Sequence, residues 1–197
     1  DLKRILAYTT VGALGGLVFL LGLGTPIAIK AMPVFLLAHA LYKGCLFLVA
    51  GGIDHAVHNR NITELGGLSK AMPYTALAAV LSSLAMVGLP PFLGFIAKEL
   101  SYESILTTGD PMLTVLAVIG FVAMAGVALW LGFAPFWAKP ARQFHPHAET
   151  PPLYLPPLIL ALCGLLTGIA PQTTANMLIK PAVMAISPQV STVKLTL

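Results

Sequence analysis

The chain of 197 residues is 57% apolar and only 9% charged, with a mean hydropathy of +0.89. Soluble domains carry roughly a quarter charged residues, so the composition points to an integral membrane protein. The net charge of +4 comes from eleven scattered Lys and Arg, without the basic stripe and interleaved aromatics of a nucleic-acid surface. Cys45 and Cys163 lie in apolar runs and read as packing residues, which leaves no disulfide framework or cysteine metal knuckle.

Asp1-Leu2-Lys3-Arg4 leads straight into an apolar run without an initiator Met or signal-peptide architecture. The last residues, Val193-Lys194-Leu195-Thr196-Leu197, lack a cap. Both ends read as cut, and the expectation is a fragment of something longer.

Five segments are apolar enough to span roughly 30 Å of hydrocarbon: about 5–23, 31–53, 74–97, 111–137 and 153–170. Each run is continuously apolar for far longer than a barrel strand. The fold class expected is an all-α integral membrane protein, a single transmembrane helical bundle over 1–197. An odd number of spans puts Lys3, Arg4, Arg60, Lys70, Lys139 and Arg142 on one side, against Lys30, Lys98, Lys180 and Lys194 on the other. That balance favours a cytoplasmic start.

The first span carries Thr9 and Thr10, whose hydroxyls can bond back to their own helix. Gly12 and Gly16, like Gly164 and Gly168 in the fifth span, are small residues four apart that permit close helix approach.

The second span holds His39 and Lys43, four apart and therefore on one helical face. A lysine at mid-membrane costs about 2.5–3.5 kcal/mol even on the mildest scale, so it must face the bundle interior or water. Both side chains can carry a proton, and the pair reads as part of a relay. The segment that follows, Asp54 to Asn61, reads as a surface loop. Asp54, His55 and His58, with His145 and His147 later, invite a metal reading, but no further acidic or cysteine ligand at suitable spacing completes a set, and no metal site is expected.

The third span is interrupted by Pro90-Pro91 and ends in Lys98-Glu99. Two prolines remove two backbone donors, and carbonyls freed in lipid cost several kcal/mol each unless something satisfies them. A broken membrane helix bearing a lysine fits ion or proton movement. The alternative is a Lys98 that snorkels to the interface and pairs with a nearby carboxylate such as Glu99 or Glu103. The fourth and fifth spans contain no ionisable side chain, and Trp130, Phe133, Phe136 and Trp137 cluster toward one end as interfacial aromatics do. The segment from Pro171 onward could lie along the surface.

Taken in order, Asp1-Leu-Lys-Arg-Ile-Leu-Ala-Tyr-Thr-Thr10, His39-Ala-Leu-Tyr-Lys43-Gly44, Leu65-Gly-Gly-Leu68, Met72-Pro73 and Gly88-Leu-Pro-Pro-Phe-Leu-Gly-Phe-Ile-Ala-Lys-Glu99 carry a family resemblance. The chain resembles the antiporter-like subunits shared by respiratory complex I, membrane-bound hydrogenases and multisubunit Mrp Na+/H+ antiporters. Gly52-Ile-Asp-His55 and Phe92 to Glu99 are most similar to the A-type subunit of the Mrp antiporters. The motifs cover about 1–103; the remainder matches mainly in hydropathy.

The resemblance implies the later part of a roughly fourteen-helix domain built from two inverted repeats. It implies that the positions of His39 and Lys43 belong to a hydrated polar chain across the membrane centre, with Lys98 connecting that chain to the outlet. Lys3, Glu99, Pro90 and Pro91 are supporting positions. The glutamate and lysine of the family's earlier repeat are absent from this chain, and Ala97 stands where complex I versions commonly carry serine.

The function expected is proton translocation in a multisubunit Na+/H+ antiporter, a secondary transporter rather than an enzyme. The alternative is a pumping subunit of a quinone-linked dehydrogenase or a hydrogenase. No organic cofactor is expected, since no phosphate-binding glycine loop, haem motif or cysteine cluster is present. The partners expected are the other membrane subunits, the bilayer, protons and a monovalent cation, in a prokaryotic plasma membrane.

Overall fold

The computed structural model describes residues 1–141, 144 and 146–187. Arg142, His145 and Lys194, counted above in the charge balance and the metal reading, lie outside the described residues. Among the described residues the chain folds into helices and connecting turns, without a strand.

Helix α1 (Leu2–Leu23) starts on Asp1, whose carboxylate accepts the backbone N–H of Arg4 at 3.1 Å. It ends at Gly24, which takes the left-handed conformation that closes helices. Thr25 then caps α2 (Pro26–Val57), with Pro26 at the first helical position, where its missing N–H is not needed. So short a turn leaves α1 and α2 as neighbours. At a rise of about 1.5 Å per residue, α2 is about 48 Å long and exceeds the hydrocarbon thickness. It runs past the expected end at residue 53, and Asp54, His55, Ala56 and Val57 are helical rather than loop. No glycine or proline interrupts those four residues, and the helix stops only where His58 turns left-handed, at φ 49°.

Helix α2 is the centre of the bundle and packs against α1, α3 (Pro73–Val87), α4 (Leu93–Leu106) and α6 (Pro151–Ile169). Its buried face includes Val34, Ala38, Tyr42, Cys45, Leu46 and Val49, the spacing of three and four that lets one stripe meet its neighbours. Cys45 is a packing residue here, with Sγ 3.5 Å from the carbonyl of Ala78. Helix α5 (Pro111–Trp137) leaves most of its length exposed and packs on α3 near Ala128, Leu131 and Gly132.

The N-terminus of α3 is held from far along the chain. Glu149 accepts the backbone N–H groups of Tyr74 and Thr75, at 2.7 and 3.0 Å, and the Thr75 hydroxyl at 2.6 Å. A carboxylate there satisfies orphan donors and meets the positive end of the helix dipole.

The third expected span is two helices. Helix α3 ends at Gly88, which adopts φ 83° and donates to the carbonyls of Leu84 and Ala85. The chain turns through Leu89 to Phe92, with a cis peptide between Pro90 and Pro91, and α4 begins at Leu93. Two glycines make that junction fit. A methyl group on Gly94 would run into the carbonyl oxygen of Ala85, and one on Gly168 of α6 into the backbone of Pro91 to Leu93. Gly168 thus has the close-approach role expected for its pair, whereas a methyl on Gly164 would meet only the Cβ of Leu41 at 3.9 Å. Gly12 and Gly16 do not, since a methyl at either would meet only side chains at ordinary distances of 3.7 and 3.6 Å.

After α6 the chain continues as a short turn of helix, α7 (Pro171–Thr174), a π-helical segment over Ala175–Ile179, and α8 (Lys180–Ile186). Thr174, Ala175, Ile179 and Val183 are buried, and both the π-helical segment and α8 touch α2. The segment from Pro171 to Ile186 packs against the bundle.

Candidate functional site

Because α2 sits between four neighbours, its two ionisable mid-helix residues are enclosed: His39 is 6% and Lys43 4% exposed. They share a face, yet their side chains engage different partners. The His39 Nδ1 and the Tyr42 hydroxyl oxygen are 3.1 Å apart, a hydrogen bond whose direction follows the histidine tautomer. The two rings meet edge to face, with centroids 5.4 Å apart.

The ammonium of Lys43 reaches across to α1. It donates to the carbonyl of Leu6 at 3.1 Å and to the hydroxyl of Thr9. The apolar face of α1, with Leu2, Leu6 and Ala13 buried, turns toward the core and carries Thr9 along with it. Thr9 and Thr10 do bond back to their own helix, Thr9 to the carbonyls of Ile5 and Leu6 at 2.9 and 3.0 Å and Thr10 to Leu6 at 2.8 Å. For Thr9 that is half of its role. The same oxygen accepts from Lys43.

Lys98 projects from the second turn of α4, just past the break. Its ammonium donates to the carbonyl of Val87 at 2.6 Å and lies 5.3 Å from the centre of the Phe121 ring, within cation–π range. Its hydrogen bond goes to a backbone carbonyl, and among the described residues no ion pair joins it to Glu99 or Glu103. The expected alternative of local carboxylate pairing is therefore not what the side chain does.

Two cavities meet at Lys98 and Phe121. One, of about 450 Å³, lies among α1, α2, α4 and α5 and includes Tyr42 and Ser101 in its wall. The other, of about 420 Å³, lies on the α4–α5 side and includes Glu99 and Tyr102. Glu99 itself is exposed.

The supporting positions separate from this group. Lys3 pairs with Asp54 at 3.0 Å, and Arg60 lies 3.7 Å from both Asp54 and Asp1. This half-exposed cluster ties the start of α1 to the end of α2. Pro90 and Pro91 contribute the break and no side-chain chemistry. Among the described residues no three His, Cys, Asp or Glu gather as metal ligands do.

Three residues join the site that the sequence reading did not include. Tyr42 stands three positions after His39, a spacing that places side chains together on a helix, and could have been read from the sequence. Thr9 and Phe121 sit on other helices, and no local pattern marks them.

A family model described as NADH:quinone oxidoreductase/Mrp antiporter, TM, matches residues 1–135. The chain is 36% identical over 193 residues to the A/B subunit of a probable K+/H+ antiporter of Rhizobium meliloti, covering 94% of this chain and 19% of that protein. It is 33% identical over 215 residues to the A1 subunit of a Na+/H+ antiporter of Staphylococcus epidermidis, covering 95% of this chain and 27% of that protein. The chain thus spans 19% and 27% of the length of these two relatives. Its fold matches a chain of the Mrp complex from a Dietzia species with a TM-score of 0.82 at 23% identity, covering 94% of this chain and 43% of that one.

Proposed function

The chain belongs to the NADH:quinone oxidoreductase/Mrp antiporter transmembrane family, and from that premise we propose that it forms part of the proton-translocating subunit of a multisubunit monovalent cation/H+ antiporter. The names of its relatives give K+ and Na+ as the cations, and a monovalent cation, with Na+ first and K+ as the alternative, is the substrate proposed. In this reading the chain is a piece of a secondary transporter rather than an enzyme. It works beside other membrane subunits in a prokaryotic plasma membrane, with the start of α1 on the cytoplasmic side.

The observation that carries the proposal is the company kept by the amines. Lys43 bonds a carbonyl and a hydroxyl, and Lys98 bonds a carbonyl. An ammonium held by neutral oxygens can release its proton without leaving a carboxylate unpaired, whereas a lysine locked in a buried ion pair cannot. His39 lies one helical turn from Lys43 on the same face, and Lys98 stands between two cavities large enough for water. Protons would pass along His39 and Lys43 to Lys98 through internal water.

The test is antiport in everted vesicles that carry the assembled complex, read as the ΔpH collapse on adding Na+ or K+. His39→Ala, Lys43→Ala and Lys98→Ala are each expected to abolish it while the complex still assembles. Near-wild-type responses for all three would remove the relay. The second reading, a pumping subunit of a quinone-linked or hydrogenase complex, is favoured by the breadth of the matched family. Co-purification with iron–sulfur and flavin subunits would select it, and co-purification with small membrane subunits alone would select the antiporter.

A further inference from the structure

We propose that the hydroxyl of Tyr42 is the proton link between His39 and the cavity that contains Lys98. The inference rests on the relay reading above and adds a residue to it. His39 is enclosed in the bundle, and its Nδ1 faces the Tyr42 oxygen at 3.1 Å. Tyr42 in turn forms part of the wall of the cavity of about 450 Å³ whose lining also includes Lys98 and Ser101. The wall is mostly apolar, and its polar side chains, Tyr42, Lys98 and Ser101, are the groups that could hold a water in it. One phenol therefore touches the histidine on one side and borders the lysine's cavity on the other.

The chemistry asks little of the phenol. A proton that leaves Nδ1 of a protonated His39 for the phenol oxygen is matched by departure of the hydroxyl's own proton to a cavity water, which hands one on to the free amine of Lys98. The phenol and the water are neutral before and after, the imidazole loses one proton, and Lys98 gains one. Rotation about the C–O bond resets the donor. The edge-to-face packing of the two rings holds the oxygen at the nitrogen while that rotation occurs. Lys43 directs two of its three donors to α1 and is not in the wall of either cavity, so the proton that the His39–Lys43 pair passes on toward Lys98 leaves through Tyr42.

The experiment compares wild type, Tyr42→Phe and Lys98→Ala in the assembled complex in everted vesicles. Rates are normalised to the amount of complex. Tyr42→Phe keeps the ring and removes only the oxygen. Its expected effect is a loss on the order of a hundredfold in cation-driven proton flux, the low end of what a positioned proton donor supplies. A rate within about twofold of wild type, beside an inactive Lys98→Ala, overturns the Tyr42 link and leaves the relay standing. An active Lys98→Ala overturns the relay itself. Should Tyr42→Phe deplete the complex, 3-fluorotyrosine at position 42 decides instead, since it preserves shape and hydroxyl while making the phenol more acidic. A changed solvent deuterium isotope effect on the flux is expected, and an unchanged one overturns the link.

Discussion

The ammonium of Lys98 donates a 2.6 Å hydrogen bond to the carbonyl oxygen of Val87, the last residue of α3. In an unbroken helix that carbonyl would accept the N–H of the residue four positions on. That residue is Pro91, which has none. The lysine side chain supplies the donor that the proline withholds, so the break in the helix and the charge beyond it are two halves of one arrangement.

Replacing Lys98 should therefore cost stability as well as transport. Lys98→Met leaves the half-buried Val87 carbonyl without its donor, and an acceptor left unsatisfied costs up to about 1–3 kcal/mol where water does not reach it. A lower unfolding temperature of the purified complex is expected for Lys98→Met. Lys98→Arg, which retains donors, should lie between it and wild type. Identical melting curves for wild type and Lys98→Met would mean that the carbonyl is satisfied in another way.

Thr9 should tune Lys43 without being titratable itself. Thr9→Val removes the hydroxyl that accepts from the ammonium while keeping a branched side chain on α1. Hydrogen bonds to charged groups contribute about 1.5–3 kcal/mol, and roughly 1.4 kcal/mol is a tenfold change in rate. Flux in the vesicle assay should fall by about tenfold. Thr9→Ser, which restores the oxygen, should recover most of it. Equal rates for the valine and serine variants would show that Lys43 does not depend on that oxygen.

The Lys3, Asp54 and Arg60 cluster should contribute little. Its members are 33 to 45% exposed, and ion pairs that water reaches contribute about 0–1 kcal/mol and weaken with salt. Asp54→Asn is expected to lower the melting temperature of the complex slightly at low ionic strength and not at all in molar salt. A large loss that persists in high salt would give the cluster a greater part in holding α1 against α2.

The junction between α3 and α4 should tolerate no added methyl. Gly94→Ala and Gly168→Ala each place a methyl group on backbone atoms that cannot swing aside. Overpacking of this kind costs about 1–3 kcal/mol. Both variants should reduce the yield of assembled complex, measured by quantitative immunoblot of membranes. Gly12→Ala, whose added methyl would lie 3.7 Å from the flexible end of Met124, should assemble at the wild-type level. Loss of assembly in Gly12→Ala alone would reverse this ranking.

What the sequence determined by itself follows from properties that add up along the chain. Sustained hydropathy made this an all-α membrane bundle. Pro90 and Pro91 had to interrupt a helix because they lack N–H groups, and His39 and Lys43 had to share a face because they are four residues apart. The tertiary structure decided what those groups touch. Lys43 bonds Thr9, 34 positions away, and Lys98 lies over Phe121 of a helix that carries no charge of its own. Tyr42 was within reach of the same reasoning, three positions from His39, but only the packing of α1, α4 and α5 around it reveals the cavity it borders. Hydropathy and spacing are local sums. Hydrogen-bond partners depend on how each helix is rotated and how closely it crosses its neighbour, which contacts such as Gly168 against the backbone of Pro91 to Leu93 settle only when the whole bundle closes.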